Sequence, residues 1–286
     1  MRGTLTESDR GRLEPLCGEG GDASPASFIR LGRGGEGIER AEASFRGRAY
    51  FPHRHDTYAV GVTLRGVQRF RYRGEERICL PGEIHILHPD ELHDGGAATE
   101  DGFAYRIVYI DPFLIQEALG GAPLPFVRDP VVAAASLPRE FLAEAFDLDG
   151  EIDELGRTDL AFSTAQALIA AAGGVAGNPP QHLAALMRVR DLIAAAPEKR
   201  RSLCELERVA GLDRWTIARQ FRAFFGTSPS RFRTLRQLDE VRRSLRSGTS
   251  LAMSAAEAGF ADQSHMSRRF KRAFGLTPAA WAAAVS

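Results

Sequence analysis

Few cysteines, no long apolar run and no net charge mark this chain. Cys17, Cys79 and Cys204 are its three thiols in 286 residues, odd in number and far apart, so neither a disulfide framework nor a zinc cluster is implied. No stretch approaches the roughly 20 apolar residues needed to span a bilayer. The opening Met1 to Arg10 segment also lacks the apolar core of a signal peptide. These absences exclude a disulfide-stapled scaffold and a membrane-spanning protein, and a cytoplasmic location with no membrane partner is expected. Basic and acidic residues number 37 each, so the chain as a whole has no bias toward polyanions.

That balance conceals an asymmetry. Residues 181–286 hold 19 Lys+Arg against 9 Asp+Glu, a formal +10, whereas residues 1–180 hold 18 against 28, a formal −10. A basic segment gains affinity for phosphates by releasing counterions, and such binding weakens steeply with salt. The acidic part is not expected to lie on nucleic acid. The length allows about two domains. The Gly/Pro cluster from Gly173 to Pro180 reads as their joint, giving an N-terminal domain over 25–175 and a C-terminal one over 181–286. Residues 1–24, rich in glycine, serine and charge, read as a flexible arm.

The C-terminal segment repeats itself. Ala210-Gly211-Leu212 returns as Ala258-Gly259-Phe260, followed by the pairs Asp213/Asp262, Arg219/Arg268, Phe221/Phe270, Phe225/Phe274, Gly226/Gly275, Pro229/Pro278 and Phe232/Trp281. The register is 48 residues before the turn and 49 after it, because Ala261 is inserted in the second copy. Each copy spells a short helix ending at glycine, a tight turn, an aspartate that caps free N–H groups, and a second helix. In the first copy Ile217, Phe221 and Phe224 recur at helical spacing as a core face, leaving Trp215, Ala218, Arg219 and Arg222 outward. In the second, Met266, Phe270 and Phe274 take the core face, leaving Ser264, Ser267, Arg268 and Lys271 outward beside His265 and Arg272. A helix fits the DNA major groove, where arginine binds guanine through two hydrogen bonds worth about 1–3 kcal/mol of discrimination. Two such helices on one domain would enter successive grooves if held about 34 Å apart.

Upstream, Tyr58 to Leu64, Gln68 to Tyr72, Arg77 to Leu80, Ile84 to Leu87 and Phe103 to Ile110 are short runs of β-formers, separated by turn signals at Arg65-Gly66, Arg73-Gly74-Glu75 and Pro81-Gly82. Strands at this spacing read as an antiparallel barrel or double-sheet jelly roll. The stretch from Pro130 to Ala172 reads helical, with Leu155, Phe162, Leu168 and Ile169 among alanines. The fold expected is therefore α+β in two domains: an antiparallel β-barrel of cupin or jelly-roll type with flanking helices, then an all-α domain of two helix-turn-helix motifs joined by a helix.

Ser202 to Trp281 resembles the tandem helix-turn-helix domain of the AraC/XylS family of bacterial transcription regulators. The residues that carry the resemblance are Val209-Ala210-Gly211-Leu212, the run Phe221 to Pro229, the connecting helix from Leu235 to Leu245, and the run Ala258 to Gly275 closing at Thr277-Pro278. The resemblance implies base contacts from Trp215, Ala218 and Arg219 in the first motif and from Gln263, Ser264, Ser267 and Arg268 in the second. Glu207, Ser254 and Glu257 depart from the small or apolar residues usual in the support helices, which predicts looser packing there.

Gly82-Glu83-Ile84 and Pro89-Asp90-Glu91-Leu92-His93 likewise resemble loops of the cupin barrel that serves this family as its effector-binding domain. The resemblance implies double-stranded promoter or operator DNA, a small-molecule effector, a second copy in a homodimer, and RNA polymerase as partners. It also implies regulation rather than catalysis. Five of the seven histidines, His53, His55, His85, His88 and His93, lie in the barrel segment. Metal-binding cupins add a glutamate near the position held here by Ala59 and Val60, so a metal-free effector pocket is expected, with no cofactor. Its walls would come from His53, His55, Tyr58, Val60, Val62, His93 and Tyr105, with Tyr58, Val60, Val62 and Tyr105 reading equally as simple core, while His85 and His88 read as structural or surface residues. The competing reading is a metal-dependent cupin enzyme with a DNA-binding tail, its ion held by His53, His55 and His93.

Overall fold

The computed structural model describes residues 27–173 and 182–285. The arm, Cys17 and all of the joint except Gly173 lie outside them. Ten strands fill most of the first half: β1 (Phe28–Leu31), β2 (Ile38–Phe45), β3 (Arg48–His53), β4 (Tyr58–Gly66), β5 (Gln68–Tyr72), β6 (Glu75–Cys79), β7 (Glu83–Leu87), β8 (His93–Ala97), β9 (Phe103–Ile110) and β10 (Val131–Ala133). They form a six-stranded sheet in the order β1-β2-β9-β4-β7-β10 and a four-stranded sheet in the order β3-β8-β5-β6. The named pairings are antiparallel. Of the expected antiparallel barrel or double-sheet jelly roll, the structure shows two sheets that do not close into a barrel. Register shifts in β3 between Arg48 and His53 bend that strand where it pairs with β8.

Three helices cover the larger sheet: α1 (Pro112–Ala118), α2 (Arg139–Ala145) and α3 (Glu154–Ala172). The stretch read as one helix from Pro130 begins instead with β10, because Val131 to Ala133 finds a partner strand in β7. Asp111 starts α1 by accepting from the Phe113 N–H, and Asp153 starts α3 by accepting from the Gly156 N–H. Leu160, Ala161, Ala165 and Leu168 of α3 are buried, whereas Leu155 and Phe162 are exposed.

The second half is helical: α4 (Leu183–Ala194), α5 (Leu203–Ala210), α6 (Arg214–Phe225), α7 (Pro229–Arg246), α8 (Leu251–Glu257), α9 (Gln263–Phe274) and α10 (Pro278–Ala284). Here α5-turn-α6 and α8-turn-α9 are the two repeats, and α7 joins them. Asp213 accepts from the N–H groups of Trp215 and Thr216, and Asp262 from that of His265. Both reader helices close on a left-handed glycine, Gly226 at φ 66° and Gly275 at φ 73°. Ile217, Phe221, Phe224, Met266 and Phe270 are buried as the spacing requires. Phe274 departs from the expected core face, being only half-buried and stacked by Arg242, whose guanidinium lies 5.0 Å from its ring centroid.

Two of the three unusual support-helix residues, Glu207 and Glu257, make polar contacts. Glu207 accepts from the Arg214 backbone N–H at 3.0 Å and pairs with its guanidinium, fastening the support helix to the start of the first reader. Those bonds hold the Glu207 carboxyl below its ordinary range. Glu257 accepts from the Ser244 hydroxyl at 3.4 Å, while the buried Ser254 hydroxyl has no partner among the described residues. Gln237, buried in α7, donates to the Ala258 carbonyl at 2.7 Å and so ties the connecting helix to the second turn. Gln237→Leu would orphan that carbonyl, so a loss of about 1–3 kcal/mol is expected, read as a lower urea midpoint at unchanged slope.

Candidate ligand cavity and nucleic-acid interface

A cavity of about 580 Å³ opens between the sheets and the helical domain. Strand alternation decides what faces it. Because β9 pairs with β4 as Tyr105↔Thr63, Ile107↔Gly61 and Tyr109↔Ala59, the side chains of 105, 107 and 109 point inward together. All three line the cavity, with His53, His55, His85, His93 and Tyr50. Tyr58, Val60 and Val62 do not. They occupy the opposite face of β4, packed into the apolar cluster that holds Phe113, Ile115 and Leu168, and this corrects the expected pocket wall. The one-residue error has a cause: both faces of β4 are buried from Tyr58 to Val62, so hydrophobicity does not tell inside from outside. On the cavity side Gly61 makes room for His85, since a Cβ there would fall 2.4 Å from the imidazole.

At the cavity's inner end His53, His55 and His93 each offer a nitrogen, all within 4.8 Å of one another. Backbone carbonyls orient all three rings: the Nδ1 groups of His53, His55 and His93 donate to the carbonyls of Phe51 at 2.8 Å, Thr57 at 2.9 Å and Glu91 at 2.9 Å. A carbonyl only accepts, so the proton sits on Nδ1 and Nε2 carries a lone pair. Burial, then mutual repulsion among the imidazoles, holds His53 and His55 well below the ordinary histidine range. Burial brings His93 down to about 4. Three neutral nitrogen donors fit an open three-ligand metal centre; no carboxylate belongs to the group. Arg231 is a charged neighbour of His53 and His55, and Asp90 neutralises it at 2.9 Å. The Tyr50 and Tyr105 hydroxyls share a 2.6 Å hydrogen bond, and the Tyr109 ring stands edge-on to His55.

His85 and His88 sit apart from that cluster. The His88 Nε2 accepts from the Val127 N–H at 3.1 Å, and its backbone N–H donates to the Tyr72 hydroxyl. Among the described residues the His85 Nδ1 has no partner.

The outer wall of the cavity belongs to the other domain. Leu235, Arg236, Asp239 and Arg242 of α7, Phe274 of α9 and Trp281 of α10 all line it. Three arginines of α7 pair with carboxylates of the sheet domain: Arg231 with Asp90 at 2.9 Å, Arg236 with Asp56 at 3.0 Å and Arg242 with Glu39 at 2.7 Å. Burial pushes the Asp56 carboxyl up to about 6, against the pull of Arg236. Sequence reasoning missed Tyr50, Tyr109, Asp56, Arg236 and Arg242. Alternation in β9 could have found Tyr109, but no sequence pattern announces contacts across a domain boundary.

The proposed DNA-contacting residues divide by position along each reader. Trp215, 74 % exposed, stands with Ala218 and Arg219 in solvent on α6. Gln263, Ser264 and Arg268 are exposed on α9, while His265 and Ser267 are half-buried. Toward the C-terminal ends the sheet domain intervenes. Arg222 reaches Asp90 at 3.5 Å, and the Lys271 ammonium lies 3.5 Å from the Phe51 ring centroid.

A ligand-sized cavity in a two-sheet domain, backed by paired helix-turn-helix motifs, defines a two-domain transcription regulator. Residues 36–162 match the family described as an AraC-like ligand binding domain, and residues 206–284 match a helix-turn-helix domain family. An AraC-like ligand binding domain followed by a helix-turn-helix domain is the order expected from the resemblance to the AraC/XylS family. A relative from Bacillus subtilis (strain 168), the HTH-type transcriptional regulator YbfI, is 23% identical over 223 residues, covering 76% of this chain and 81% of its own. The fold is similar to that of ToxT from Vibrio cholerae. An apo ToxT variant superposes with a TM-score of 0.63 at 10% identity, covering 89% of this chain and 100% of its own. ToxT bound to unsaturated fatty acid gives 0.61 at 10% identity, over 93% and 98%. No helix among the described residues is long and apolar enough to cross a membrane.

Proposed function

We propose that this regulator binds specific operator DNA under the control of a small molecule held in the cavity between its domains. The observation that carries this reading is the composition of the wall. His53, His55, His93 and Tyr105 line the same cavity as Arg236 and Arg242 of α7, the helix that joins the two readers. A ligand shifts an equilibrium only through unequal affinity for its states, and a cavity walled by two bodies changes whenever they move. In this account residues 25–175 form the sensor and 181–286 the reader. Arg219 and Arg268 read bases, with Trp215, Ala218, Gln263, Ser264, His265 and Ser267 beside them, while Arg222 and Lys271 contact phosphates. The exposed pair Leu155 and Phe162, two turns apart on α3, supplies an apolar stripe for a homodimer, and promoter-bound protein would contact RNA polymerase.

The test is footprinting and titration on promoter DNA near the protein's own gene. Arg219→Ala and Arg268→Ala are each expected to relax recognition at one position at a cost of about 1–3 kcal/mol. Arg222→Ala should weaken binding to all sequences and flatten the salt dependence by about one ion. Unchanged sequence preference in both arginine variants would refute the assignment of the readers.

A further inference from the structure

The two readers end on the sheet domain in opposite electrostatic company. Gly226, closing α6, packs on Pro89 and Pro112 so closely that the proline leaves no room for a Cβ. One turn back, Arg222 reaches the Asp90 carboxylate at 3.5 Å. Gly275, closing α9, packs on β3 instead, where a Cβ would meet the Tyr50 Cβ at 2.9 Å and the Phe51 carbonyl at 3.0 Å. Lys271 is the repeat equivalent of Arg222. Its ammonium lies 3.5 Å from the centroid of the exposed Phe51 ring, and the guanidinium of Arg48, also exposed, lies 5.5 Å from the same centroid. Among the described residues neither Lys271 nor Arg48 pairs with a carboxylate. Equivalent positions of the repeat thus face a carboxylate in one motif and a second cation in the other.

We infer that the sheet domain itself contacts the DNA backbone, through Arg48 beside the C-terminal end of the second reader. The inference rests on the operator-binding reading and extends it to a residue of the half of the chain that carries the net negative charge. Two cations gathered on one exposed ring repel each other, a cost that a phosphate between them removes. Other arginines of the sheet domain find their counter-charge within the chain: Arg30 and Arg106 pair with Glu42, and Arg73 with Glu91. Arg48 instead extends the cationic face of α9. Arg268 lies three and four residues before Lys271 and Arg272, so these three share that face, and β3 carries the strip onward past the last turn of the helix. A polyanion that follows the reader beyond its end fits such a strip, and duplex DNA carries one negative charge per about 1.7 Å of axis. The position of Arg48 relative to α9 is fixed by backbone bonds, from the Phe51 N–H to the Gly275 carbonyl at 3.0 Å and from the Arg54 N–H to the Arg272 carbonyl at 3.2 Å. A guanidinium so placed can take a phosphate through two N–H groups.

Full-length protein titrated against a duplex of unrelated sequence at several salt concentrations tests the contact. Each phosphate neutralised adds about 0.9 to the slope of log affinity against log salt. Arg48→Gln should lower the slope by about that amount, as Lys271→Gln should, whereas Arg48→Lys, which restores the charge, should keep it. Arg30→Gln removes the same charge from β1 in the other sheet, where Arg30 pairs with Glu42, and should leave the slope unchanged. A slope unaltered by Arg48→Gln but lowered by Lys271→Gln overturns the Arg48 contact and leaves the readers standing. Equal falls in Arg48→Gln and Arg30→Gln reduce the effect to net charge and overturn the contact as well. Wild-type protein whose affinity for duplex does not depend on salt overturns the operator-binding reading together with it.

Discussion

Acidification from pH 7 to pH 4 is expected to strip several kcal/mol from the stability of this protein through His85 and His88 alone. In the unfolded chain both protonate near pH 6.5. In the folded chain burial pushes His85 down to about 3 and His88 to about 4. Unfolding thus takes up protons between those limits, and stability falls as pH falls. For His88 the difference corresponds to about 3 kcal/mol, lost progressively from pH 6.5 to 4, and His85 contributes at least as much over the same window. The contacts explain why neither can charge in place. The His88 Nε2 already accepts the Val127 N–H, and His85 lies among Phe70, Tyr105 and the bare backbone of Gly61. Asp56 works the other way. Its carboxyl, raised to about 6, binds a proton in the folded chain before the unfolded one does, so it adds stability as pH drops and offsets about one histidine. Urea midpoints at pH 7 and pH 4.5 measure the slope. His85→Phe, which keeps the ring without the titration, should flatten it; an unaltered slope in that variant would remove His85 from the account.

Asp90→Asn should undock the helical domain from the sheets. The Asp90 side chain is 10 % exposed and takes two arginines, Arg231 at 2.9 Å and Arg222 at 3.5 Å. Asparagine keeps the shape and tolerates the left-handed backbone, φ 61°, so the variant removes charge with little added strain. Arg231 then keeps the Arg54 carbonyl at 2.9 Å but loses the Asp90 charge. Removing one partner of a desolvated pair costs about 2–5 kcal/mol, much of it the penalty of the charge left behind. The expected results are faster proteolysis between 173 and 182 and, because Arg222 is freed, tighter binding to nonspecific DNA at low salt. A variant that stays compact and binds DNA as before would place the docking energy elsewhere, in the Phe113–Phe225 contact or in the three remaining arginine pairs.

The charge asymmetry shows where reading the sequence stops. A formal +10 on residues 181–286 was assigned to phosphates. In the structure Arg190, Arg231, Arg236 and Arg242 instead pair with Asp111, Asp90, Asp56 and Glu39 of the acidic half. Complementary charge holds the domains together before any DNA arrives. The strands were legible where a single apolar face alternates, as in β5 with its buried Gln68, Phe70 and Tyr72. They were not legible in β2, whose alanines and charges conceal burial on both sides, nor in β8, where His93-Asp94-Gly95-Gly96-Ala97 has almost no β-formers.

What the chain determined by itself was the reader: the capping aspartates, closing glycines and buried aromatics of each motif act within about 20 residues of one another, so local periodicity and turn chemistry specify them. The tertiary structure alone decided the cavity. Which face of β4 looks inward, that His93 converges on His53 and His55, and that α7 closes the wall all depend on contacts between residues far apart in sequence. Such contacts are set by packing and by charge pairing across domains, which no local pattern encodes.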